Sequence, residues 1–172
     1  MLRWLLAILL LAPTMVYSAH GDHDLTSMVE WIESNSKYSY NGEPLPKIEL
    51  HSAEQICRVV FPDTEPHADC NIAGYFDHEI NLIVISDTVT EYMVEDHFYE
   101  VVLLHELVHF LQYRNGEYER AECKQALEKD AFELQDQWID EQGIDPEQKN
   151  DPLFVIFVTM CPGYDPMFGN TH

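Results

Sequence analysis

Polar and apolar positions along the chain fall into stretches with distinct periods. Residues 24–34 carry Leu25, Met28, Trp31 and Ile32 on one helical face. Residues 47–51, Lys-Ile-Glu-Leu-His, alternate as a strand does, and Ser52 is placed to cap a helix through Val60 that Phe61-Pro62 ends. Residues 71–86 read as a β-hairpin: Ala73-Gly74-Tyr75-Phe76, a turn at Asp77-His78-Glu79, then residues 80–85, nearly all apolar and largely β-branched. A strand of that kind is buried on both faces. Residues 94–113 form a helix that is apolar on every side, which places it in the interior. A second helix spans 119–142 and stops at Gly143. Asp151-Pro152 opens another that runs to about Cys161. Residues 37–46 are a polar loop with Tyr38 and Tyr40 at its surface, and the tail from Pro162 is irregular. These elements predict an α+β domain with one buried helix at its centre.

The start of the chain has a different meaning. Met1-Leu2-Arg3, an apolar run of nine residues at 4–12 and the approach Val16-Tyr17-Ser18-Ala19 have the form of a secretory signal peptide cut after Ser18. A membrane span needs about 20 apolar residues, so no stable anchor is expected once residues 1–18 are removed. A single domain over 19–172, periplasmic or secreted, follows. In an oxidising compartment Cys57, Cys70, Cys123 and Cys161 are expected as disulfides. The pairs Cys57–Cys70 and Cys123–Cys161 each join neighbouring elements. A net charge of −22, from 31 Asp and Glu against 9 Lys and Arg, excludes nucleic acid and anionic lipid as partners.

The chemistry lies in His105-Glu106-Leu107-Val108-His109, inside the buried helix. Histidines at i and i+4 stand one above the other, so both imidazoles can reach one zinc ion. Glu106 lies about 100° around the helix, beside the metal, where it can act as general base on a water acidified by zinc. Two histidines and a glutamate in a core are costly without such a partner. A third ligand is expected downstream, from Glu117, Glu119, Glu122 or Glu128. Antiparallel packing of the two helices leaves Glu122 and Glu128. Helical phase then puts Glu122 on a solvated stripe with Lys129, Glu133, Asp136 and Asp140, and Glu128 next to the inward face of Leu127, Ala131, Leu134 and Trp138. His51, His67, His78 and His97 lack ligand spacing and are expected to be structural or solvated.

At these residues the chain resembles the gluzincin group of zinc metallopeptidases, and within it small, secreted bacterial members. The resemblance rests on His105–His109 with the apolar lead-in Val101-Val102-Leu103-Leu104, the following Phe110-Leu111-Gln112, and Glu128-Lys129-Asp130-Ala131-Phe132. It implies a zincin-like domain, a short mixed sheet with an edge hairpin packed on the buried helix and on the ligand helix that follows, holding one zinc on His105, His109 and Glu128, with Glu106 as catalytic base. It also implies a peptide or protein substrate paired along the edge strand of Gly74, Tyr75 and Phe76. The chain departs from larger relatives in having no room for a big second helical domain. Tyr113, Tyr118 and Tyr164 are the candidates for the oxyanion-stabilising donor that such a domain supplies. Two other expectations accompany a metallopeptidase: a non-catalytic zinc-binding envelope protein that acts through a partner, and a zinc amidase on cell-wall material.

Overall fold

The computed structural model describes residues 24–62, 72–92 and 97–162, and two short strands, β4 (Tyr164–Asp165) and β5 (Gly169–Asn170), paired antiparallel near the end. The expected signal peptide and Cys70 lie outside the described residues. The protein is a mixed α+β fold. Helix α1 (Leu25–Asn35) starts where the Asp24 side chain accepts the Thr26 N–H, and it buries Met28, Val29 and Ile32. Strand β1 (Lys47–His51) leads into α2 (Ala53–Val60), which opens with a reciprocal capping box between Ser52 and Gln55. Strands β2 (Gly74–Asp77) and β3 (Leu82–Ser86) form the hairpin.

The sheet has the order β1-β3-β2, with β1 parallel and β2 antiparallel to β3. The central strand β3, Leu-Ile-Val-Ile-Ser, is buried at all five positions. Its Ile83 and Ile85 join the main core, while Leu82 and Val84 pack with Ile56 of α2 on the opposite face. β2 therefore forms one edge of the sheet.

The long helix expected at 94–113 is one helix that starts at Phe98, and a short helix that was not expected lies ahead of it. α3 (Asp87–Tyr92) follows β3 directly, and α4 (Phe98–Arg114) begins after His97 in left-handed conformation, φ 56°. From Glu100 to Gln112 every residue of α4 is buried, because the sheet, α1 and α6 enclose it. Phe110 is fully buried and meets Phe76 of β2 edge-to-face at 5.8 Å. Burial of such a side chain contributes roughly 2–3 kcal/mol.

The helix expected at 119–142 is interrupted. Gly116, at φ 72°, turns the chain into the one-turn α5 (Glu117–Arg120). Ala121 is then extended, and α6 (Gln125–Gln142) starts four residues later and ends at Gly143, φ 68°. Glu122 lies in the interruption and is exposed, so it belongs to no helical stripe. Within that link Cys123 is bonded to Cys161, beyond α7 (Pro152–Thr159), as expected. Cys57 is also disulfide-bonded. Tyr38 is a correction: it is 2 % exposed and part of the main core, and Tyr40 packs against that core. A buried hydrogen-bonding network draws the Tyr38 ring inward from its polar loop. Among the described residues no helix is long and apolar enough to cross a membrane.

Candidate metal centre

The burial that makes α4 central also brings its polar residues together. His105 and His109 face α6 one turn apart, with their Nε2 atoms 3.2 Å from each other. Glu128, in the first turn of α6, brings Oε2 to 3.1 Å from His105 Nε2 and 3.3 Å from His109 Nε2. The three ligand atoms lie within 4.8 Å of one another. Glu128 was the expected third member and the structure brings it there. Glu117 instead pairs with Arg120 at 2.8 Å, and Glu119 and Glu122 are exposed.

The far nitrogen of each imidazole defines what the near one offers. Gln112 Nε2 donates to the Leu127 carbonyl at 2.8 Å, which leaves Gln112 Oε1 to accept from His109 Nδ1 at 2.8 Å. Gln135 Oε1 stands 2.9 Å from His105 Nδ1 in the same role. With protons on both Nδ1 atoms, neutral imidazoles present only lone pairs at Nε2, and the Glu128 carboxylate adds another acceptor. Three acceptors at this spacing need a positive charge between them. A proton can supply it. Burial pulls His109 down, but the hydrogen bond and charge of Glu128, with the charge of Glu106, outweigh it and hold His109 up at about 9. Burial pushes Glu128 up, and the bonds and charges of His105 and His109 outweigh it, holding it far below the usual carboxylate range. A metal ion supplies that charge too, and these donors could hold one.

Glu106 points elsewhere. It is 5 % exposed, and burial raises its carboxyl while the two histidines oppose the rise. The Phe76 N–H donates to it, whereas Oε2 is buried with no hydrogen-bond partner. An unpartnered buried carboxylate oxygen requires a reason. Glu106 borders a cavity of about 380 Å³ whose lining also includes His105, His109 and Glu128, together with Tyr75, Phe76, His78, Tyr118, Lys124 and Leu127.

The edge strand reaches this cavity through its backbone. Ser86 N–H donates to the Ala73 carbonyl at 2.8 Å, so with alternating register Tyr75 and Asp77 bond to β3. The N–H and C=O of Gly74 and Phe76 then face away from β3, which is how the Phe76 N–H meets Glu106. Gly74 permits the close fit: a Cβ there would lie 3.0 Å from Val102 Cγ1, 3.0 Å from the Val84 oxygen and 3.4 Å from Glu106 Cγ.

Of the three tyrosines, Tyr118 lines the cavity, and burial first, then the charges of Glu106 and Glu128, push its hydroxyl pKa up. Tyr113 buttresses it ring to ring at 5.4 Å, and the Tyr164 side chain lies outside the described residues. Gln112, Gln135, His78 and the hydroxyl of Tyr38 escaped the reading of the sequence. Two carried a signal: Gln112 follows His109 by three residues, and Gln135 follows Glu128 by seven, both on the ligand-bearing face of their helices.

A family model described as "Domain of unknown function (DUF6647)" matches residues 18–166. The chain belongs to this family. The DUF6647 match spans both candidate ligand helices, the edge strand and the 123–161 disulfide. Curated proteins and solved structures give no match.

Proposed function

We infer that this chain is an exported zinc-dependent hydrolase, and specifically a small zincin-like metallopeptidase. The observation that carries this reading is Glu106, whose Oε2 is buried and unpartnered and which lines a cavity together with His105, His109 and Glu128. A structural metal site needs no such carboxylate, and four-ligand closure is its usual form, whereas here three protein donors leave room for another ligand. Two imidazoles and one carboxylate suit zinc. Bound there, zinc would polarise a carbonyl and acidify a water.

The chain's own residues would do the rest. Glu106, its carboxyl raised by burial and one oxygen held by the Phe76 N–H, takes a proton from the attacking water and passes it to the leaving amine. The N–H and C=O of Gly74 and the C=O of Phe76, turned away from β3, are offered to an extended peptide in the manner of an added strand. Tyr118 supplies an O–H at the cavity wall for the developing oxyanion. The 123–161 disulfide supports export, because such bonds persist in oxidising compartments.

Another reading has its own observation. α7 exposes Leu153, Phe154, Ile156 and Phe157, which suits a zinc protein that acts through a partner. One experiment separates the two. Glu106→Gln should keep zinc and lose about 10²–10⁴-fold in hydrolysis of a peptide library, while His105→Ala and Glu128→Ala should lose the metal. A Glu106→Gln protein that hydrolyses peptides as fast as wild type would overturn the mechanism. A wild type that binds zinc and cleaves nothing would favour the partner-binding reading.

A further inference from the structure

Gln112 is fully buried, and both of its polar atoms are engaged on separate segments. Oε1 accepts from His109 on α4. Nε2 donates to the carbonyl of Leu127 on α6 at 2.8 Å, and to the hydroxyl oxygen of Tyr38, in the loop before β1, at 3.3 Å. Leu127 immediately precedes Glu128. One side-chain amide therefore touches the imidazole of one candidate ligand and the backbone beside another.

We propose that Gln112 is a positioning residue that sets the tautomer of His109 and holds the Glu128-bearing turn of α6 at its distance from α4. The proposal rests on the metal-centre reading above. The direction of every bond in the network is fixed. The Tyr38 hydroxyl donates to Asp130 Oδ2 at 2.5 Å, and Lys37 Nζ stands 3.0 Å from the same oxygen, so Asp130 accepts. Tyr38 can then only accept from Gln112, and a carbonyl such as that of Leu127 has no proton to give. Both bonds put N–H on the Tyr38 and Leu127 side of the amide and oxygen on the His109 side. The proton between Gln112 and His109 must sit on Nδ1, and Nε2 keeps its lone pair for a metal. No substitute meets all these demands. Leu has no polar atom, Glu has no donor for Leu127, and Asn is one methylene too short to span both helices.

The test uses the mature protein with wild type, Gln112→Leu, Gln112→Glu and Tyr38→Phe, each checked for native near-UV circular dichroism. Zinc affinity is measured by competition with a chromophoric chelator, and the site geometry by the visible absorption of Co²⁺. Gln112→Leu should weaken zinc binding about 10–100-fold and alter the Co²⁺ bands. Gln112→Glu should keep bands nearer those of wild type, because the acceptor remains, yet bind zinc more weakly. Tyr38→Phe should shift affinity less than Gln112→Leu, since the Leu127 bond survives. A further measurement needs no variant: ¹⁵N spectra of the zinc-loaded wild type should show a slowly exchanging proton on His109 Nδ1. Wild-type affinity and Co²⁺ bands in Gln112→Leu, or a proton on His109 Nε2, would overturn the proposal. If wild type binds neither Zn²⁺ nor Co²⁺, the metal-centre reading falls and the clamp with it. Equal binding by wild type and Gln112→Leu removes the clamp alone.

Discussion

The His109–Glu128 pair gives the metal-free protein a pH dependence whose sign can be worked out. Glu128 is depressed from 4.5, so its contribution to stability is present above that value and lost as pH falls through its low folded value. His109 is raised from 6.5 to about 9, so its contribution is complete below 6.5 and lost as pH rises through about 9. The pair therefore helps most between those two unfolded values. The thermal midpoint of metal-free protein should decline from pH 6.5 to 9, as scanning calorimetry will show, and saturating zinc should abolish that decline. Zinc bound as proposed would displace the His109 proton, so its affinity should climb over the same interval. A metal-free midpoint that rises from 6.5 to 9 would contradict the assignment. Gly74 gives a second residue-scale prediction. Gly74→Ala brings a methyl within 3.0 Å of Val102 and the Val84 carbonyl, an overpacked contact that should cost about 1–3 kcal/mol in urea unfolding. Because Glu106 Cγ lies 3.4 Å from the same point, the proposed hydrolysis should fall further than stability accounts for.

Among the elements, α6 depends most on something outside itself. Its N-terminal turn carries Glu128 but has no side-chain cap, and the link before it is tied by Cys123–Cys161 to the end of α7. Closing a loop with a separation of 38 residues should stabilise the fold by about 4 kcal/mol in the chain-entropy account. Replacing Cys123 and Cys161 together by Ser should lower unfolding free energy by that order and weaken zinc binding, measured by urea denaturation and chelator competition. A double variant with wild-type affinity would show that α6 docks without the tether. The same element marks where sequence patterns stop being informative. α1, β1, α2 and the hairpin were legible because a cap or an alternation marks each boundary, as Ser52 with Gln55 shows. The break at 121–124 was not, because Glu119 to Gln142 keeps helical composition throughout and only the disulfide and Ala121 reveal the interruption. Glu128 was therefore reached by a phase argument that holds for Glu128 and fails for Glu122. Tyr38 was misplaced for a related reason: its loop is polar, and what buries its ring is a set of hydrogen bonds to Gln112 and Asp130 from distant segments.

At the scale of the whole molecule, charge and the hidden strand act against each other. The chain carries −22 at neutral pH and has a pI near 4.4, so molecules repel one another near pH 7 and lose that repulsion in mild acid. β3, Leu82–Ser86, is uncharged, largely β-branched and shielded by neighbours of only four and five residues. When the sheet opens, that strand becomes a cross-β template, a hazard the native fold conceals on both faces. Heating to full unfolding and cooling should return soluble protein at pH 7.5, and turbidity with loss of native signal at pH 4.4. Replacing Val84 by Lys lets the two causes be separated. It destroys the native strand but should leave the heated chain clear at pH 4.4, because a charge now interrupts the segment. The strand that seats the edge of the cavity is thus also the segment through which this protein would precipitate, and its acidic composition is a safeguard only while the carboxylates stay ionised.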